Sequence, residues 1–287
     1  MTVLVIGDVV TDILTVHTGP LAIGSDTIAR VRIAGGGSAA NTAVWLAAAG
    51  SPVAFAGVAG DDEPGDARIA ELRDAGVTTS VRRVPGLATG TVVVLTSDAE
   101  RTMFTDRGAN RLLARADVER AMELPGLRHL HLSAYVLFDD DCAPAGRFAL
   151  AEAHRRGLTT SLDAASAAPL RERGGANFLA GVPRADLLFA NLDEARVLGS
   201  TDPADLRRHA EAVVVKSGAA GAAYADGQHV ASASARTVDS IADPTGAGDA
   251  FAAGFLTAWL AGAGPQAALS RGNELGAQAV TRIGARP

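Results

Sequence analysis

Short apolar runs alternate with helical patterns along most of the chain, and this alternation restricts the possible folds more than any other feature. The runs typical of buried strands are residues 3–7, 53–57, 129–132, 159–162, 186–190 and 212–215. Helical patterns separate them, most clearly from residue 112 onward. Parallel strands need such crossover segments, and helices must then cover both faces of the sheet. The sequence therefore predicts an α/β fold with a doubly wound, mostly parallel sheet flanked by helices.

Two segments lie outside this alternation and predict a small separate β-sheet. Residues 27–33 alternate polar and apolar side chains, which is the period of a strand with one exposed face. Residues 90–96 and 101–105, joined by residues 97–100, predict a β-hairpin. We expect this sheet, contributed by about residues 12–37 and 87–109, to form a lid over the functional site of a single domain spanning residues 1–287.

A glycine-rich turn at residues 243–249 leads into a helix whose aromatic residues recur every four positions. The backbone N–H groups of Gly246, Ala247 and Gly248 have no partners within such a turn. They point along the positive end of the helix dipole, where an anion binds. Asp249 falls in the first helical turn, either as a residue that only starts the helix or as a base beside the bound anion. An anion site next to a carboxylate suits phosphoryl transfer.

A second glycine-rich stretch, Gly35-Gly-Gly37, precedes a helix for which Ser38 is the predicted N-cap. It contains the pattern G-x-G-x-x-A of dinucleotide-binding folds. However, the pattern does not follow the first strand, and no acidic residue lies at the expected position about 20 residues on. We interpret the stretch as backbone that approaches a polyol, with Asn41 offering a donor and an acceptor. The alternative is that Asn41 only caps the helix or is satisfied in the core.

Both stretches resemble the two signatures of the ribokinase/pfkB family of sugar and nucleoside kinases. The N-terminal signature is Gly-Gly-x-x-x-Asn-x-Ala at residues 36–43, followed by Gly-x-x-Gly-Asp at residues 57–61. The C-terminal signature is residues 243–251, and the resemblance covers nearly the whole chain. It implies a ribokinase-like fold and an enzyme that uses ATP and Mg²⁺ to phosphorylate a hydroxyl of a small sugar.

The resemblance also implies roles for individual residues on the substrate side. Asp249 would act as the general base, and the backbone of Gly246, Ala247 and Gly248 would stabilise the transferring phosphate. The residues that would bind the substrate hydroxyls are Asp12, Gly36, Gly37 and Asn41.

On the nucleotide side, the resemblance implies a second group of residues. Those that would lie along ATP are Asn191, Lys216, Gly218, Gly221 and Asn273. Glu194 would hold Mg²⁺ through water, although Asn191 and Glu194 also have the spacing of a simple capping box. Asp243 and Thr245 would contribute to a K⁺ site.

The substrate class is less constrained. Tyr135 lies in the segment where ribokinase itself has a substrate-side glutamate, so ribose is disfavoured by the resemblance. Kinases of phosphorylated sugars in this family usually carry a lysine after the glycine pair, and here Ser38 stands there. Arg107 in the hairpin is a candidate ligand for a carboxylate or phosphate, but an arginine at a hairpin end is usually solvated. Tyr135 and Phe104 are candidates to face a sugar ring or a base.

We therefore predict a neutral, unphosphorylated sugar or a nucleoside as the substrate. The alternatives are a sugar-acid kinase and a non-catalytic sugar-binding regulator on the same fold. An intact Asp249 and anion-binding turn disfavour the regulator.

The composition argues against a nucleic-acid-binding protein and against a membrane-spanning one. The net charge is −6 with interspersed signs, which argues against a nucleic-acid surface. No apolar run approaches the roughly 18 residues of a membrane span. Cys142 is the only cysteine, so we expect no intrachain disulfide and a reducing, cytoplasmic environment.

An isolated small sheet exposes one face and its edges, and we expect a homodimer that packs lid against lid.

Overall fold

The computed structural model describes residues 1–97 and 100–287. Its strands are β1 (Thr2–Ile6), β2 (Val10–His17), β3 (Ala29–Gly36), β4 (Val53–Gly60), β5 (Thr78–Val84), β6 (Thr89–Ser97), β7 (Glu100–Gly108), β8 (Leu127–Ser133), β9 (Thr159–Asp163), β10 (Ala185–Asn191), β11 (Ala210–Lys216), β12 (Ala222–Ala225) and β13 (Val230–Ala233). Its α-helices are α1 (Ser38–Ala48), α2 (Glu63–Asp74), α3 (Arg115–Met122), α4 (Ala143–Arg155), α5 (Ala167–Glu172), α6 (Leu192–Leu198), α7 (Pro203–Leu206), α8 (Ala247–Leu260) and α9 (Pro265–Val280).

Within these residues the large sheet has nine strands, in the order β13-β12-β11-β10-β9-β8-β1-β4-β5. From β11 to β5 neighbouring strands are parallel, and β12 and β13 are antiparallel additions at one edge. Alternate side chains of β1 pack into the two hydrophobic clusters on the two faces of the sheet. Leu4 and Ile6 belong to one cluster, and Val3 and Val5 belong to the other. The predicted doubly wound α/β fold is confirmed.

The order of the parallel strands reverses at β1, which lies between β8 and β4. In open α/β sheets a ligand binds beyond the carboxyl ends of the strands at such a reversal. The fold therefore places a crevice next to residues 7–9, directly after β1.

The small sheet has four strands in the order β3-β2-β6-β7. The predicted strand near residues 27–33 and the predicted hairpin are present as β3 and β6–β7, while residues 98–99 of the hairpin turn lie outside the described residues. The sequence analysis did not predict β2, which pairs with both β3 and β6 and so lies at the centre of this sheet.

Two helix starts determine the site. The first helix begins one residue earlier than predicted: Gly37 is its N-cap with φ 94°, and Ser38 is its first residue. The Ser38 hydroxyl donates a hydrogen bond to Asp249. Helix α8 begins after Gly246, which has the left-handed φ of 76°, and Asp249 lies in its first turn as predicted. No helix in the described ranges is long and apolar enough to cross a membrane.

Candidate active site

A cavity of 1170 Å³ lies between the carboxyl ends of the parallel strands and one face of the small sheet. The predicted site residues that line it are Asp12, Gly37, Asn41, Asn191, Glu194, Lys216, Gly218, Gly221, Thr245, Gly246, Ala247, Gly248, Asp249 and Asn273. Gly36, Arg107 and Asp243 are not among the lining residues. Segments distant in the chain thus meet in one cavity.

Asp249 is held by two side chains of α1. Its Oδ1 accepts a hydrogen bond from Ser38 Oγ at 2.8 Å, and its Oδ2 accepts one from Asn41 Nδ2 at 3.1 Å. Burial, reinforced by the charge of Asp163, raises the pKa of Asp249 to about 6, although both hydrogen bonds and Lys216 oppose the shift. A carboxylate with a pKa close to neutrality and a fixed orientation is suited to accept a proton from an alcohol.

The anion-binding turn (residues 246–249) requires its glycines for close approaches. A Cβ on Gly246 would lie 2.5 Å from the carbonyl oxygen of Ala285, and the residue also has the left-handed φ that favours glycine. A Cβ on Gly248 would lie 3.2 Å from Lys216 Nζ. The turn therefore presents bare backbone next to a cationic side chain.

Asp243 fixes the start of this turn. Its Oδ1 accepts hydrogen bonds from Thr245 N at 2.9 Å and Thr245 Oγ1 at 2.6 Å. Its Oδ2 accepts one from Gly284 N at 3.0 Å. The carboxylate thereby connects the turn to the C-terminal segment.

The glycine pair before α1 lies against two carboxylate-bearing residues. A Cβ on Gly36 would lie 2.2 Å from the Asp12 carboxyl group, and one on Gly37 would lie 2.3 Å from the backbone oxygen of Asp8. Burial raises the pKa of Asp12 to about 6 against the opposing charges of Arg286 and Arg68. Only glycine at these positions allows α1 to begin beside Asp12.

Lys216 forms an ion pair with Asp163 at the ends of β11 and β9, with 2.8 Å between Nζ and Oδ2. Burial lowers the pKa of Lys216, but the charges of Asp163 and Glu194 outweigh it and the pKa is raised. The sequence analysis missed Asp163, which is buried and lines the cavity. Its only local signal was its place at the end of a predicted strand.

Arg107, a candidate substrate ligand in the sequence analysis, is not the solvated charge that its place at a hairpin end also allowed. Its Nε and Nη2 donate to the two carboxylate oxygens of Asp8 at 2.9 and 2.8 Å, and only 14% of its side chain is exposed. Arg107 is thus paired with Asp8 and is not among the residues that line the cavity. Asp8 itself lines the cavity.

Comparison with known proteins identifies the family. The model of the pfkB family carbohydrate kinases matches residues 2–287. The chain belongs to this family of kinases. It is therefore a phosphotransferase with an alcohol group as acceptor.

Three relatives illustrate the family's range. The ATP-dependent ribose-1-phosphate kinase of Halopiger xanaduensis is 31% identical over 287 residues, covering 95% of this chain and 89% of that protein. The adenosine kinase of Sinorhizobium meliloti is 25% identical with a TM-score of 0.87, covering 99% of this chain and 95% of the other. A protein from E. coli solved in complex with ATP and Mg²⁺ shares the fold, with 22% identity, a TM-score of 0.83 and coverage of 99% and 94%.

In this pfkB kinase, Asn191 and Glu194 form the capping box that their spacing predicts. The amide oxygen of Asn191 accepts from the backbone N–H groups of Asp193 and Glu194, both at 2.9 Å. The carboxylate of Glu194 accepts from Asn191 N at 2.7 Å and from Asn191 Nδ2 at 2.6 Å. Burial raises the pKa of Glu194 to about 7 against the opposing charge of Lys216. The capping box therefore holds in the cavity lining a carboxyl group whose ionised form is disfavoured by burial.

Gly221 and Asn273 both hold the edge of the large sheet. A Cβ on Gly221 would lie 2.0 Å from the oxygen of Ala233, and Gly221 has a φ of 99°. Asn273 Nδ2 donates to the carbonyls of Ala233 and Ser234 at 2.9 and 3.0 Å. Gly221 therefore lets the backbone pass close to Ala233, and Asn273 binds the same backbone by hydrogen bonds, whereas a Cβ on Gly218 would meet open space.

Proposed function

We propose that this kinase transfers a phosphoryl group from ATP to a hydroxyl of a neutral sugar, either free or within a nucleoside. The observation that carries the proposal is the position of Asp249. Ser38 and Asn41 orient its carboxylate between the sugar-side carboxylate of Asp12 and the anion-binding turn. This is the geometry that a general base needs in phosphoryl transfer.

In the proposed mechanism the substrate hydroxyls bind to Asp12, Gly36, Gly37 and Asn41. Asp249 accepts the proton of the reacting hydroxyl, and its pKa of about 6 leaves it largely ionised above pH 7. The backbone N–H groups of residues 246–249 stabilise the charge that develops on the transferring phosphate. Lys216, 2.8 Å from Asp163, adds a positive charge at the same place.

The nucleotide side fits ATP with Mg²⁺. Asp163 raises the pKa of both Glu194 and Asp249, and Lys216 is the cation that opposes both shifts. Mg²⁺ prefers oxygen ligands and retains several waters, and when bound it neutralises phosphate charge. The described residues contain no group of three or more His, Cys, Asp or Glu that could hold a metal directly. Glu194 would therefore hold Mg²⁺ through water, with Asn191, Lys216, Gly218, Gly221 and Asn273 along the nucleotide.

We also propose K⁺ as a second cation, next to Asp243 and Thr245. The Asp243 carboxylate is oriented by hydrogen bonds to both oxygens and retains free lone pairs. Replacing K⁺ by Na⁺ at constant ionic strength tests this site.

The lining of the sugar side favours a neutral substrate with an apolar part. Val92, Val94 and Met103 of the small sheet, together with Tyr135, line this side next to the carboxylate of Asp12. Phe104 does not line the cavity. The cations that line it, within the described residues, are Lys216 beside the anion-binding turn and Arg236 near Asn273. A phosphate or carboxylate on the sugar would face Asp12 with no cation among the residues that line this side, whereas a nucleobase would pack against the apolar residues.

We propose that the small sheet acts as a lid. It covers the cavity and would exclude water, which competes with the sugar for the phosphoryl group. Its outer face is proposed to pack against a second copy of the chain.

The substitution Asp249→Asn tests the mechanism. It preserves size and hydrogen bonding but cannot accept a proton, so turnover should fall by about 10²-fold or more. ATP binding, measured by titration calorimetry, should persist. The matched control is Asp74→Asn at an exposed position of α2. If Asp249→Asn keeps turnover within a few-fold of the wild type, the mechanism is wrong.

A substrate panel read by ADP release tests the acceptor. We expect higher kcat/KM for uridine, inosine, adenosine or D-ribose than for ribose 1-phosphate or 2-keto-3-deoxygluconate. A best activity with either anionic sugar would contradict the neutral substrate class.

A further inference from the structure

Arg286 in the C-terminal segment contacts both residues that flank the sugar side of the site. Its Nε donates to Asn41 Oδ1 at 3.0 Å, and its Nη2 donates to the carbonyl of Gly36 at 2.9 Å. We infer that Arg286 is a positioning residue for the general base: it fixes the Asn41 amide so that the NH₂ group faces Asp249. The inference rests on the proposed role of Asp249.

The two ends of the Asn41 amide determine this orientation. An arginine N–H can only donate, so the end of the amide facing Arg286 must be the oxygen. The NH₂ end is then left for Asp249, whose Oδ2 accepts from Nδ2 at 3.1 Å. Without Arg286 the amide could rotate and place its oxygen against the carboxylate. Arg286 therefore excludes the repulsive orientation.

Arg286 is itself rigidly held. Its Nη1 forms an ion pair with Glu71 Oε2 at 3.1 Å, while the other oxygen of Glu71 binds Arg68 at 2.5 Å. Only 13% of the Arg286 side chain is exposed. A Cβ on Gly35 would lie 2.1 Å from Arg286 Nη1, so a glycine is needed for the side chain to pass.

The backbone beside Arg286 is anchored as well. Trp45 Nε1 of α1 donates to the carbonyl of Ala285 at 2.9 Å. The fork of a guanidinium reaches three acceptors in one plane, which a lysine ammonium on a flexible stem does not reproduce.

The charges around Asp249 give the direction of the effect. The titratable and charged groups that act on it are Asp163 of β9, Lys216 of β11, Glu194 of α6, Tyr135 after β8 and Arg286 of the C-terminal segment. Removing Arg286 takes away a cation and also releases the Asn41 donor. Both changes disfavour the ionised carboxylate, so the pKa of Asp249 should rise.

The test is a titration of free enzyme labelled with ¹³C at the aspartate side-chain carboxyl carbons, because it needs no substrate. Loss of a resonance in Asp249→Asn assigns the Asp249 signal. The wild-type midpoint is expected near pH 6. In Arg286→Gln it should rise by about half a pH unit or more. Arg286→Lys keeps the charge, so its midpoint should rise less.

The matched control is Arg282→Gln, in the same segment but exposed, and its midpoint should equal that of the wild type. If Arg286→Gln does not fold, Arg286→Lys carries the test, and an unchanged midpoint in that variant overturns the inference. Equal midpoints in Arg286→Gln and Arg282→Gln would also overturn it.

Kinetics with the best acceptor of the panel separate the two proposals. If Asp249→Asn retains turnover, the proposed mechanism fails whatever Arg286 does. If Asp249→Asn abolishes turnover, Arg286→Gln should lower kcat about tenfold and move its acid limb upward with the NMR midpoint. In the double variant, adding Arg286→Gln to Asp249→Asn should then lower kcat no further.

Discussion

At Arg107, one side chain connects the two sheets through charge. Its bidentate pair with Asp8 joins β7 to the end of β1, and a second carboxylate, Asp139, lies 3.5 Å from its Nη1. Breaking a buried pair from one side leaves the other charge without compensation. The role of this arginine is therefore structural, with an indirect effect on the cavity that Asp8 lines.

Arg107→Ala should lower the free energy of unfolding by about 3 kcal/mol in urea titrations. The control Arg111→Ala removes a more exposed arginine that also pairs with Asp139, and should change stability little. Adding Asp8→Asn to Arg107→Ala should recover part of the loss, because the unpaired charge is gone. If Arg107→Ala and Arg111→Ala lower the free energy of unfolding equally, the buried Arg107–Asp8 pair contributes no more to stability than an exposed pair.

At the residue scale, the sequence predicts what depends on neighbours along the chain. The Asn191–Glu194 capping box and the position of Asp249 in its helix follow from local spacing and are confirmed. The partners of Ser38 and Arg286 could not be predicted, because their contacts bridge 211 and 245 residues. No local pattern distinguishes such an arginine from a solvated one.

At the scale of elements, the β8–β9 pair buries two histidines beside each other. The parallel register sets His129 opposite Thr159 and His131 opposite Ser161. Ser161 Oγ lies 2.8 Å from His129 Nε2 and 2.7 Å from His131 Nδ1. Burial lowers the pKa of His129 to about 3 and that of His131 to about 4. Both histidines are therefore neutral in the folded chain at pH 5 to 7.

Acid should weaken the fold through this pair. Between pH 6.5 and about 4 the unfolded histidines bind protons that the folded ones do not, so stability falls as pH falls. Each histidine contributes a slope of at most about 1.4 kcal/mol per pH unit. Buried carboxylates with raised pKa, such as Asp12, act in the opposite direction. The histidine contribution must therefore be found by comparing the pH dependence of the unfolding free energy between variants.

His131→Asn should reduce the acid-dependent slope of the unfolding free energy, measured by urea titration from pH 5 to 7.5. His229→Asn, at a side chain 59% exposed, is the control and should leave the slope unchanged. An unaltered slope in His131→Asn would contradict the claim that the buried His131 makes the fold less stable in acid.

Six strands of the large sheet could be predicted because buried parallel strands are continuous apolar runs. The hairpin could be predicted because two strand patterns flank a short turn. Strands β12 and β13 were missed, and each has only four residues. Strand β5 was missed because its side chains are mostly polar and half-buried at the sheet edge. Strand β2 was missed because it follows the first strand after only three residues, whereas a parallel strand of an α/β unit is usually followed by a helix.

At the scale of the molecule, the outer face of the small sheet has an apolar row across four strands. Register places Ile33, Ile13, Val93 and Phe104 side by side. Ile33 is 69% exposed and Phe104 58%, and Val31 beside them is 61% exposed. An exposed apolar patch of this kind supports the proposed packing against a second copy of the chain.

We expect sedimentation to show a dimer at micromolar concentration and Phe104→Asp to convert it to a monomer. Val230→Asp, at an exposed apolar position of β13, should leave the dimer intact and is the control. A wild type that sediments only as a monomer would argue against packing through this face.

Lys216 is the only lysine in the sequence, and it lies ion-paired in the cavity. Reagents that acylate amines therefore have a single lysine target, at the nucleotide side of the site, besides the amino group of the exposed Met1. Coupling through lysine would not tether the native enzyme by its surface, but would modify the place where ATP is proposed to bind. The extent of acylation at Lys216, read on the peptide that contains it, would then report on occupancy of the proposed nucleotide site.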